Sequence, residues 1–104
     1  MSKSYTYKIT EPAKKDIRAI LSYISDTLLN PDAAVNFAIR FEESFESATV
    51  FPKAHAICEH NPEYRKLFVE NYVALFRIDE HAQMIYFVRV FYGAMDYGKY
   101  LWVL

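Results

Sequence analysis

Four cations raise the first chemical question: Arg65, Lys66, Arg77 and Arg89. All lie on or beside segments that read as β-strands. Cations gathered on one sheet face can hold RNA phosphates and stabilise the charge that builds on a phosphoryl group during transfer. The competing expectation is solvation on a half-exposed sheet. Arg77 fits that better, whereas Arg89 interrupts an otherwise apolar strand and calls for a reason. Tyr92, Tyr97 and Tyr100 follow near the C-terminus. A tyrosine can stack on a base or donate its phenolic proton to a leaving group, but with nine tyrosines in the chain most must be amphipathic packing residues. His55, Cys58 and His60 form an H-x2-C-x-H run. That spacing permits a metal corner, but a structural site needs a second pair of ligands, so no metal is expected and Cys58 reads as a buried thiol. Glu42, Glu43 and Glu46 read either as acid–base carboxylates or, more commonly, as a solvated helix face. The two glycines, Gly93 and Gly98, cannot build a phosphate-wrapping loop, which excludes nucleotide-binding fingerprints and leaves no cofactor to expect.

The elements that must position these residues follow from periodicity. Tyr5–Ile9 alternates and reads as a first strand. Thr10 is placed to cap a helix, with Glu11 favourable at its positive end and Pro12 tolerated in the first turn. Ile17, Ile20, Leu21, Ile24 and Leu28 then recur at helical spacing. Asn30 and Pro31 restart the chain as cap and first helical residue. The second helix runs to about Val50 with Ala34, Phe37, Ala38, Phe41, Phe45 and Ala48 on one face, and Phe51-Pro52 ends it. Two amphipathic helices with a short connection predict an antiparallel hairpin.

Beyond it the period changes to two. Tyr64–Val69, Tyr72–Ile78 and Met84–Tyr92 read as three strands, with Asn71 between the first two and Asp79–Gln83 as a loop of hairpin length. Asp96–Leu104 reads as a short helix or an extended tail. The result is an α+β domain spanning 1–104, ordered β-α-α-β-β-β, with the helical hairpin packed on a mainly antiparallel sheet.

Bulk properties narrow the setting. The 104 residues carry 12 basic and 13 acidic side chains, a formal net charge of −1, spread evenly along the chain. That disfavours a broad nucleic-acid clamp. A single cysteine fits a reducing cytoplasm. The longest apolar runs, such as Met84–Val88, fall far short of the roughly 20 residues that span a bilayer. Met1–Thr10 lacks the apolar stretch of a secretory leader, so a cytoplasmic protein without a membrane partner is expected.

The order of these motifs resembles a known family. Tyr7–Ile9, Glu11-Pro12-Ala13, Asp16-Ile17, Ile20, Tyr23-Ile24, Asn30-Pro31, Ala33-Ala34 and Phe51-Pro52 look like the N-terminal half of RelE/ParE toxins. Arg65 with Leu67, Asn71-Tyr72, Phe76, Ile78-Asp79, Arg89-Val90 and Met95-Asp96 look like the C-terminal half, so the resemblance covers about residues 5–101. It implies the toxin of a type II toxin–antitoxin module, a growth inhibitor silenced by a cognate antitoxin protein; related modules stabilise plasmids. Two targets occur in the family: RelE-like members cut mRNA on the ribosome, and ParE-like members poison DNA gyrase. For the nuclease the resemblance would use Arg65, Lys66, Arg89, Tyr92 and Tyr97, with Tyr100 as a substitute for the catalytic tyrosine. However, Val73 stands where nucleases commonly carry arginine, Tyr92 where they carry histidine, and Ala94 where they carry a second arginine. The expectation therefore leans to a ParE-like, non-enzymatic gyrase inhibitor. The alternatives are a ribosome-dependent endoribonuclease and an attenuated toxin that binds only its antitoxin.

Overall fold

Thr10 turns the chain through its first corner. Its Oγ1 accepts a hydrogen bond from the Ala13 amide at 3.4 Å, which caps the helix Glu11–Ser22 (α1). The same hydroxyl donates to the Val88 carbonyl at 3.1 Å, and the Thr10 amide donates to Phe87. One side chain thus closes the strand Thr6–Ile9 (β1), starts α1 and ties both to a strand far along the sequence. Thr10→Ala should cost about 1–2 kcal/mol in urea unfolding, the usual loss for a cap that also bonds a carbonyl; a change within experimental error would make the cap redundant.

The computed structural model describes residues 5–93. After α1 the helix widens into one π-helical stretch, Tyr23–Thr27, and Leu29 takes a left-handed φ of 53° before Asn30. Asn30 Oδ1 accepts from the Ala33 amide at 3.1 Å and opens Pro31–Ala48 (α2). A 3-10 turn, Pro52–Ala54, follows, then Arg65–Val69 (β2), Tyr72–Asp79 (β3) and Met84–Tyr92 (β4). The sheet order is β1-β4-β3-β2. β1 runs parallel to β4, and the β2–β3 and β3–β4 pairs are antiparallel.

The helices cover one face of the sheet. Phe41, Phe45 and Ala48 of α2 pack on Leu67, Ala74, Phe76, Ile85, Phe87 and Val90. Phe45 stacks on Phe87 with ring centroids 4.0 Å apart, and Tyr7 meets both rings edge-on. On the other face, Cys58, Val73, Leu75, Val88 and Phe91 form a second buried cluster with Tyr64 and Tyr86 beside it. The expected thiol burial holds for Cys58.

Several boundaries and faces differ from expectation. β1 begins at Thr6 and α2 ends at Ala48, so both are shorter than their periodicity suggests. The π-helical stretch rotates the face after Ser22, so Ile24 is buried while Leu28 is more than half exposed. Ala38 is also exposed, since α2 turns that position toward solvent rather than the sheet. The β2–β3 turn uses Glu70 as well as Asn71, with Glu70 at a φ of 53°. β4 carries a bulge: Phe87 pairs with Phe76 and Arg89 with Leu75, leaving Val88 unpaired. One extra residue reverses which face the following side chains join. This is why Phe87 and Val90 share the helix-side core although their spacing in sequence is odd. The expectation for Asp96–Leu104 lies outside the described residues.

Candidate functional site

The four cations do not form one constellation. Arg65, at the start of β2, donates through Nη1 to the carbonyls of Lys53 at 3.2 Å and His55 at 2.8 Å, which pins the connection between α2 and β2. Burial, with the Arg65 charge adding to it, holds the His55 imidazole below its ordinary range. Lys66 donates to Glu59 Oε2 at 2.8 Å, and that bond holds the Glu59 carboxyl below the usual carboxylate range. Its ammonium also lies 5.8 Å from the Phe68 ring centroid. Arg77 lies over the ring of its cross-strand partner Tyr86 at 4.2 Å. Lys53 pairs with Glu80, whose hydrogen bond raises the lysine above its ordinary value.

Arg89 has a reason for interrupting β4. Its Nε and Nη2 donate to the two oxygens of Asp16 at 2.8 and 3.1 Å, a two-pronged bond between strand and helix. The Val90 amide donates to Asp16 Oδ2 as well, at 2.8 Å. β1 stops pairing with β4 at Phe87, so the strand edge beyond it needs another acceptor, and the α1 carboxylate provides one. Both side chains are mostly buried. Asp16 is the residue that reasoning from sequence missed. A lone arginine in an apolar strand implies a buried partner, but nothing in the spacing singles out Asp16 from the other acids.

Two of the candidate residues do share a site. Arg89 and Tyr92 both line a shallow pocket of about 310 Å³, with Ile20 of α1 and Tyr72 of β3. Tyr92 is half exposed and meets Tyr72 edge-on at 5.7 Å. Burial, then the neighbouring Tyr92 and Tyr23, push the Tyr72 phenol up, so it stays protonated. Arg65 and Lys66 belong to β2, separated from β4 by the whole of β3, a span of roughly 10 Å between strand axes. Val73, at the position where an arginine would strengthen the cationic set, is buried in the second cluster. Tyr97, Tyr100 and Ala94 lie outside the described residues.

The exposed apolar surface is elsewhere. Leu29 is 82% exposed at the tip of the hairpin, and Tyr23, Leu28, Val35 and Ile39 each show half or more of their surface. A groove of about 350 Å³ runs between α1 and α2, lined by Leu21, Ser22, Ser25, Ala34, Val35 and Ala38. Small residues along it leave room for another backbone to come close. Among the described residues no group of His, Cys, Asp and Glu is arranged to hold a metal ion, and no helix is long and apolar enough to cross a membrane.

Comparison with known proteins decides the family. The family model for the ParE toxin of the type II toxin–antitoxin system parDE matches residues 7–97. The chain belongs to the ParE toxin family. The fold agrees. A chain from the chromosomal ParDE toxin–antitoxin system of P. aeruginosa superposes with a TM-score of 0.71 at 24% identity, over 86% of this chain and 96% of that one. A chain of the RelBE2 toxin–antitoxin complex from Mycobacterium tuberculosis gives a TM-score of 0.58 at 21% identity, over 86% of this chain and 99% of that one. No curated protein sequence matches. Two helices packed on a four-stranded mixed sheet are thus the fold that this chain shares with both neighbours.

Proposed function

We propose that this ParE-family toxin acts by binding DNA gyrase rather than by cutting RNA, and that a cognate antitoxin neutralises it by covering the exposed hairpin face. The observation that carries the target is the engagement of the cations. Arg65 is bonded to two carbonyls, Lys66 to Glu59 and Arg89 to Asp16. A phosphate-binding site needs cations available to the phosphate, and here those three side chains brace the fold. The apolar hairpin surface suits a protein partner. The protein works in the cytoplasm, where gyrase is found. Growth arrest by the isolated toxin, relieved by the product of an adjacent small reading frame, tests the module. Loss of gyrase supercoiling with the purified protein tests the target.

The pocket shared by Arg89 and Tyr92 favours a second reading, ribosome-dependent mRNA cleavage. Tyr92→Phe separates the two. It removes one hydroxyl and keeps the ring against Tyr72. On the gyrase reading, growth arrest and supercoiling inhibition stay at wild-type levels. On the nuclease reading, cleavage in a translating extract falls by about 100-fold or more, the loss typical of a missing general acid.

A further inference from the structure

A second groove, of about 690 Å³, lies between β1 and the C-terminal part of α2. Tyr5 and the half-exposed Val50 supply its apolar surface, beside the polar Thr6, Ser47 and Thr49. Glu42, Glu43 and Glu46 form its acidic wall. None of the three forms an ion pair among the described residues. Glu42 and Glu46 stand one helical turn apart, where like charges repel. Glu46 also stands in the last turn of α2, at the negative end of its dipole, and that turn has no basic residue. The field reaches the neighbouring Tyr7, whose phenol is raised by burial and then by Glu46 and Glu42. Like-charge spacing and an acid at the negative helix end thus coincide on one concave surface, a pattern expected of a site completed by a partner.

We propose that this groove receives a lysine- or arginine-bearing segment of the antitoxin, with an apolar side chain seated between Tyr5 and Val50 and its cations facing Glu42, Glu43 and Glu46. The assignment rests on the antitoxin reading above and names the chemistry of that partner. A cationic segment relieves the repulsion within α2 and the opposition to its dipole. An acidic segment would add to both. Opposite charges across a rim chiefly speed association and make it sensitive to salt. An apolar anchor chiefly slows dissociation.

The test measures binding of the full-length chain to its antitoxin, by stopped-flow and calorimetry, at low and at physiological salt. The triple variant E42Q/E43Q/E46Q should bind about 10-fold or more weakly, mainly through slower association, and its affinity should depend less on salt than that of the wild type. Its thermal midpoint should equal or exceed the wild-type value, because like-charge repulsion is removed, so weaker binding is not misfolding. Val50→Asp should instead speed dissociation. A triple variant with wild-type affinity and wild-type salt dependence would overturn the assignment and leave the antitoxin reading standing. Failure of the wild-type chain to bind any such partner would overturn both.

Discussion

Asp16→Ala is expected to lower the unfolding free energy by roughly 3 kcal/mol, near the lower end of the cost of removing one partner from a buried ion pair. The estimate follows from what the carboxylate holds. It accepts two guanidinium bonds from Arg89 and the main-chain bond from Val90, on a strand edge that β1 does not reach. Truncation leaves a mostly buried guanidinium and a buried amide without their acceptor. For a domain of this size the thermal midpoint should fall by about 10–20 °C. Asp16→Asn keeps an acceptor oxygen and the shape, so it should lose less than the alanine variant. Urea unfolding with an unchanged slope would measure both. A loss under about 1 kcal/mol for Asp16→Ala would show that other groups seal this edge. Because Arg89 also lines the Tyr92 pocket, the variant should alter that pocket without touching the hairpin face.

Phe45→Ala should cost about 3–5 kcal/mol, the usual range for deleting a buried ring. Phe45 is almost wholly buried, stacks on Phe87 at 4.0 Å and touches Tyr7 edge-on. It joins α2 to the centre of the sheet, so the cavity would open where helix and sheet meet. Set against a total stability of about 5–15 kcal/mol for a domain, this can unfold much of the population. Toxicity should therefore disappear together with the soluble protein. Val35→Ala, at an exposed position in the groove between α1 and α2, should change stability by no more than about 0.5 kcal/mol. That contrast separates residues that hold the fold from residues that meet a partner. A Phe45→Ala protein with a wild-type unfolding curve would mean that the Phe45–Phe87 stack is not the joint between the layers.

The caps were legible because their physics is local. Thr10 and Asn30 accept from amides three residues on, and Pro31 fixes a first-turn φ, so type and spacing suffice to place them. The period-two runs placed the strands for the same reason, and β4 matches its expected bounds, Met84–Tyr92. The order of motifs also carried the toxin resemblance that the family match supports. The π-helical stretch was not legible. It changes the helical period over one turn, and a 3.6-residue count run through Leu28 assigns that side chain to the core. The bulge at Val88 escaped for a similar reason: one unpaired residue shifts register without any glycine or proline to announce it.

The candidate site divides along the same line. Sequence by itself determined which residues carry charge, that Arg89 in an apolar strand requires an explanation, and that two amphipathic helices precede three strands. It also placed the chain with the RelE/ParE toxins. Tertiary structure decided what each cation does. Arg65 braces the connection from α2, Lys66 answers Glu59, and Arg89 answers an acid 73 residues away. Pairing across such distances depends on how α1 crosses the sheet edge where β1 ends, and no local pattern encodes that crossing. The packing of α2 beside β1 likewise decided that Glu42, Glu43 and Glu46, which read as an ordinary solvated face, line a concave surface.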